Sequence, residues 1–248
     1  MLKIISCLIP PLLVILLSIV CELVSKAFIN SNHKFIPYLI YAILGILSSV
    51  FIYFIILKFN LSRPFLGGTK EFIRGLEIGL IASLFSGLLF GLFNKTGFQF
   101  NTFLDDIHLK MLANLGPSFL EEVGFRGGLV QSLGSLYGKV VACLGGSVPF
   151  GMAHLAGKLF GQPVGIMHVI GTMSAGLLLT LVYLKFGLFA AIACHWTWNS
   201  FCSSWIRTLS LAQKGGAQIF EGAWTTIAVL LCISFLLMYF VKGFNFLK

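Results

Sequence analysis

The feature that most constrains this chain is a series of long apolar runs separated by short polar stretches. A helix needs about 20 mostly apolar residues to cross the hydrocarbon core of a bilayer. Stretches meeting that rule run roughly over Ile4–Val24, Ile36–Leu57, Ile73–Phe93, Leu109–Leu129, Val140–Phe160, Val164–Leu184, Leu188–Ile206 and Ala223–Val241. Amides inside lipid have no water to bond and must be satisfied within the segment, which favours helices over open strands. The expected fold is therefore all-α, a polytopic membrane helix bundle with about eight transmembrane helices. The first run begins like a signal peptide, with Lys3 ahead of apolar residues. It continues to Val24 with no small-x-small cleavage site after it, so it reads as the first span.

The separators divide the chain. "INSNHKF", "KFNLSRPFLGGTK" and "NKTGFQFNTFLDD" follow the first three runs, and "RTLSLAQKGGAQ" precedes the last. Runs four to seven are joined by short turns near "LYGK", "GQP" and "KFG", which implies antiparallel neighbours. The organisation read from this is three spans in 1–108, a four-span core in 109–206, and a loop with a final span in 207–248. Charged residues make up 10% of the chain, against roughly 25% in soluble domains. The net charge is +9, but the bases are scattered singly between apolar runs. That pattern suits headgroup anchoring rather than nucleic acid, and a slight excess of bases on the terminal side favours cytoplasmic termini. Six cysteines, with no CxxC pair, suggest neither a disulfide framework nor a thiolate metal site.

Against this background "FLEEVGFRGG", residues 119–128, stands out. Charge facing lipid at a helix centre costs roughly 2.5–3.5 kcal/mol per residue. Glu121, Glu122 and Arg126 must therefore face the bundle interior or a wet cavity. Glu122 and Arg126 are four apart and can pair on one helix face. Glu121 lies about 100° around the helix and stays available. Gly127 and Gly128 would let another helix backbone come close. A buried ion pair that only fixes packing would account for one acid and the arginine, but not for the second acid. "PFGMAHLAG" places His154 four residues after Phe150, and "ACHWTWNSF" places His195 and Asn199 on one face of the seventh run. Each alone could be a packing or helix-pairing residue. His168 opens the sixth run and reads as an interfacial residue. Together, a free carboxylate, two histidines and an amide are the parts for activating water and holding an oxyanion. There is no HExxH, no GxSxG and no aspartate within a span. Asp105 and Asp106 sit together in a loop and read as a solvated edge.

"EEVGFRGGLVQ", "FGMAH" and "HWTWN" resemble, in order and spacing, the EExxxR, FxxxH and HxxxN motifs of the CPBP family of intramembrane proteases. That family joins type II CAAX prenyl endopeptidases with bacterial proteins linked to bacteriocin processing and self-immunity. The resemblance runs from about Phe119 to Phe201. It implies an intramembrane endopeptidase in which Glu121 and His154 activate the attacking water, and His195 and Asn199 form the oxyanion hole. Glu122 and Arg126, with Phe150 of the second motif, would organise the site. The substrate implied is a membrane-associated peptide or lipidated protein, such as a prenylated CAAX protein, met among membrane lipids and without nucleic acid. The same fold also admits a noncatalytic immunity or scaffold protein that binds a peptide or partner. A transporter is disfavoured by the lack of an inverted repeat. No cofactor is expected; the alternative is a zinc ion on Glu121, His154 and His195. The compact size, the absence of targeting extensions and a composition rich in Phe, Lys and Ile favour a bacterial cytoplasmic membrane.

Overall fold

The computed structural model describes residues 2–28, 35–59, 61–94, 100–160 and 164–210. The expected span Ala223–Val241 and the turn "GQP" lie outside them. The described residues are helical, with no strand among them. In chain order the α-helices are α1 (Leu2–Ala27), α2 (Phe35–Lys58), α3 (Thr69–Asn94), α4 (Phe100–Glu122), α5 (Gln131–Tyr137), α6 (Lys139–Ala153), α7 (Ile166–Phe186) and α8 (Leu188–Ser210). A π-helical segment, Val123–Val130, joins α4 to α5, and a 3₁₀ segment, His154–Phe160, follows α6.

Among the described residues, four stretches are long and apolar enough to cross a membrane: Ser6–Ala27, Phe35–Lys58, Lys139–Leu159 and His168–Phe186. Large apolar side chains on them face outward in stripes four residues apart, Leu8, Leu12, Leu16 and Val20 on α1, and Val140, Leu144, Val148 and Met152 on α6. Such faces suit lipid and mark a membrane protein. The described residues thus support four of the eight expected spans. α4 and α8 have the length, at 23 residues each. Their apolar character is diluted by Asp105, Asp106, His108 and Lys110 in the one, and by His195, Thr197 and Asn199 in the other.

Small residues set the helix spacing. A Cβ on Gly45 of α2 would meet Gly116 Cα of α4 at 2.5 Å, and one on Gly79 of α3 would meet Cys194 O of α8 at 2.5 Å. Gly75 lies as close against the backbone of Ala190. Backbone contact of this kind is how helices pack where lipid supplies no hydrophobic drive. The short turns hold where expected. Gly138 and Gly187, with φ of 85° and 93°, break the helices at "LYGK" and "KFG" in a region that favours glycine. The expected fifth run does not continue as one α-helix. It tightens to 3₁₀ at His154, five residues after Pro149, whose missing N–H removes a bond from the ladder.

Residues 61–68 are more than a separator. The N–H groups of Leu188 and Phe189, at the start of α8, donate to Phe65 O at 2.8 Å and Leu66 O at 3.0 Å. They are among the first-turn amides that an α-helix leaves without an internal partner. Phe65 N–H donates to the Tyr183 hydroxyl at 3.3 Å, which itself donates to Gln131 Oε1 at 2.6 Å. At the end of this strap, Gly68 N–H donates to Glu71 Oε2 at 2.9 Å, the reach-back half of a capping box on α3. Its own backbone N–H and that of Gly68 hold the Glu71 carboxyl below the usual carboxylate range.

Candidate active site

The first motif bridges the end of α4 and the π-helical segment. Three glycines in Val123–Val130 weaken the α preference, and Gln131 N–H reaches back five residues to Arg126 O. All eight residues of the segment are buried. π-Turns of this kind concentrate at functional sites. The glycines do not admit a second backbone in the way their sequence suggests. Gly128 is approached by the ring of Pro10, at 2.6 Å from where a Cβ would be, and Gly124 by the side chain of Val14. Gly127 meets Pro64 and Leu188 side chains at ordinary distances of 3.4–3.7 Å. The closest of these approaches come from α1.

Glu122 is the hub. Its Oε1 accepts from Arg126 Nη1 at 2.9 Å and from His195 Nδ1 at 2.8 Å. The Glu122 and Arg126 side chains are both 0% exposed. Arg126 Nη2 donates onward to Gly176 O of α7 at 2.9 Å, and its guanidinium lies 4.2 Å over the Phe150 ring. Two buried charges survive desolvation only with close pairing and further bonds, which this arrangement supplies. One carboxylate oxygen therefore ties α4, the π segment and α8 together, and the arginine extends the tie to α7 and α6.

Glu121 is placed differently. Its side chain is 21% exposed, and its Oε2, itself shielded, has no hydrogen-bond partner among the described residues. His195 Nε2 stands 3.9 Å from that oxygen, too far for a hydrogen bond. His154 Nδ1 lies 2.9 Å from Phe150 O. A carbonyl only accepts, so Nδ1 carries the proton and the neutral ring keeps the lone pair on Nε2. The Phe150 ring meets His154 and His195 edge-to-face, at centroid separations of 5.0 and 6.0 Å. It holds both rings from one side.

Glu121 and His154 open onto a cavity of about 170 Å³. Its wall includes Phe125 and Phe150 behind them, and Val14, Ser18 and Glu22 on α1, with Tyr41 of α2. The structure thus gathers Glu121, Glu122, Arg126, Phe150, His154 and His195. Asn199 is half-buried one turn beyond His195 on α8, and neither it nor His195 lines this cavity. His168 is not only an interfacial residue, since its ring centroid lies 5.8 Å from that of His154. Sequence reasoning passed over Glu22, Ser18 and Tyr41. The signal for Glu22 was present, because an acid inside an apolar run marks function by default. Tyr41 carried none.

Among the described residues no three His, Cys, Asp or Glu side chains converge on a point that could hold a metal, the alternative zinc set of Glu121, His154 and His195 included.

The model of one protein family, described as Type II CAAX prenyl endopeptidase Rce1-like, matches residues 103–201. That stretch holds all three motifs and bears out the resemblance to the CPBP proteases. The family is one of proteases, which implies a peptide or protein substrate and a membrane setting. No curated protein matches the chain.

Proposed function

We propose that this protein is a multi-pass intramembrane endopeptidase of a bacterial cytoplasmic membrane, with termini on the cytoplasmic side. It hydrolyses a peptide bond in a membrane-associated peptide or lipidated protein, the prenylated CAAX type included. The observation that carries the reading is the division between two adjacent acids. Glu122, fully buried, gives its Oε1 to Arg126 and His195, while Glu121 is partly exposed on a cavity that His154 also lines.

Chemistry follows from that division. A water held by Glu121 and His154 Nε2 loses a proton to Glu121 and attacks the scissile carbonyl. His195, donating Nδ1–H to Glu122, presents Nε2–H to the developing oxyanion when protonated, and Asn199 supplies a second donor. Collapse of the tetrahedral intermediate returns the proton from Glu121 to the leaving amine. No step calls for a metal, so activity should persist after exhaustive chelation.

The test is cleavage of a prenylated CAAX peptide and its unprenylated analogue by detergent-purified protein, wild type beside Glu121→Gln. The expected result is cleavage by wild type and loss of at least about 100-fold in the variant, the scale of a removed general base. Full activity in Glu121→Gln would overturn the assignment. A wild type that binds peptides and cuts none would point to the noncatalytic immunity or scaffold reading.

A further inference from the structure

The cavity has a sign that the chain as a whole does not. The protein carries seventeen Lys and Arg against eight Asp and Glu. Yet no Lys or Arg is among the residues lining this cavity, and two of the eight acids, Glu22 and Glu121, are. Arg126 stands behind the Phe150 ring, committed to Glu122 and Gly176. The nearest described cation to Glu22 is Lys26, at 3.3 Å from its Oε1, with the two side chains 42% and 28% exposed. A solvent-facing pair one helical turn apart is worth little and exchanges readily for another cation. Carboxylates in a cleft with apolar walls focus a negative potential into it.

The geometry adds a direction. Val14, Ser18 and Glu22 recur every four residues, and Ile15 and Ile19 beside them, so one stripe of α1 forms the wall. From Val14 to Glu22 that stripe is about 12 Å long at 1.5 Å per residue. It grades from apolar, against Gly124 of the first motif, through a hydroxyl to an acid near the end of the span Ser6–Ala27. An extended peptide covers about 12 Å in three to four residues.

We propose that Glu22 is a specificity determinant, and that the cavity takes a peptide bearing a lysine or arginine side chain within about four residues of the bond cleaved, with apolar side chains between. This rests on the peptide-hydrolysing reading above for the bond cleaved, but recognition of the cation does not depend on chemistry occurring. Ser18 and Tyr41 offer hydroxyls to the peptide backbone beside the charge.

The experiment measures binding to full-length protein in detergent by fluorescence anisotropy. The probes are two apolar peptides, acetylated and amidated at their ends, identical except for one arginine or one citrulline. Wild type should bind the arginine peptide about fivefold more tightly, the upper end for a solvent-facing ion pair. Glu22→Gln should bring the two affinities together, and its thermal unfolding midpoint in detergent reports whether the fold is intact. Lys26→Gln should widen the preference. A preference that survives Glu22→Gln, equal affinities in wild type, or no binding of either peptide would overturn the proposal. Arginine-selective binding without cleavage would uphold it and remove the protease reading instead.

Discussion

Where α2 meets α4 and α3 meets α8, backbone lies on backbone. Gly45 and Gly116 face each other, and Gly75 and Gly79 lie against Ala190 and Cys194. Between α1 and the end of α6 a cavity remains. Some buried groups tied to the seams are bonded directly, while Glu122 Oε2, Arg126 Nε and Ser118 Oγ have no hydrogen-bond partner among the described residues. His195 holds Glu122, and Trp196 Nε1 donates to Met111 O at 2.7 Å. On the cavity side Glu121 keeps an oxygen unbonded among the described residues. The contrast teaches how a membrane protein can be rigid and accessible at once. Close-packed seams fix the groups that must not move, and a one-sided outer helix, exposing Leu8, Leu12 and Leu16 along one face, covers the group that must be reached.

Arg126→Leu should break this contrast most severely. It leaves Glu122 buried without its cation, and removing one partner of a buried pair costs about 3–5 kcal/mol. Thermal unfolding in detergent should show either a large loss of stability or failure to accumulate folded protein; an unchanged midpoint would refute the hub. Gly116→Ala tests the seam. Its Cβ would meet Tyr41 O at 2.7 Å and Ala42 Cα at 2.9 Å, main-chain atoms that cannot rotate away. Overpacking of this kind costs about 1–3 kcal/mol. Gly124→Ala makes the matching change on the cavity side, against Val14 of α1. Since α1 is packed on one side only, it can shift, and stability should fall less than in Gly116→Ala. Val14 lines the cavity, so cleavage should suffer more than the unfolding midpoint. The reverse ranking of the two glycines would dissolve the distinction between seam and cavity.

The smallest effect belongs to Glu71, at the exposed start of α3. Its carboxyl is held below the usual range by amide bonds, so its contribution is present above the unfolded-state value and is lost as pH falls through the lowered folded value. Glu71→Gln should therefore narrow the stability gap from wild type at acid pH and leave it small but measurable at neutral pH. A gap that widens on acidification would contradict the capping role.

Local spacing made half of the site legible. Glu122 and Arg126 pair because they are four apart, and His154 bonds the carbonyl of Phe150 for the same reason. The bond from His195 to Glu122 crosses 73 residues of sequence and depends on how α8 sits against α4. No periodicity encodes it. Tyr41 and Glu22 reach the cavity only because α1 and α2 fold back over the motif region. The widened turn at Val123–Val130 escaped as well, since a helical wheel assumes 3.6 residues per turn where the chain uses more. Apolar runs disclosed the four helices long and apolar enough to cross a membrane among the described residues, but they could not show that α8 is buried by protein. Its residues Ala190 to His195 are all at most 4% exposed.

The strap from Phe65 to Gly68 sets a rule about length. Its two carbonyls end the amide deficit of α8, the helix that carries His195 seven residues further on. Loops between membrane helices ordinarily accept inserted or deleted residues with little consequence. Here one residue more or fewer between Pro64 and Gly67 would put the wrong carbonyls at the head of α8 and carry the imidazole off Glu122. This connection should tolerate changes of side chain far better than changes of count.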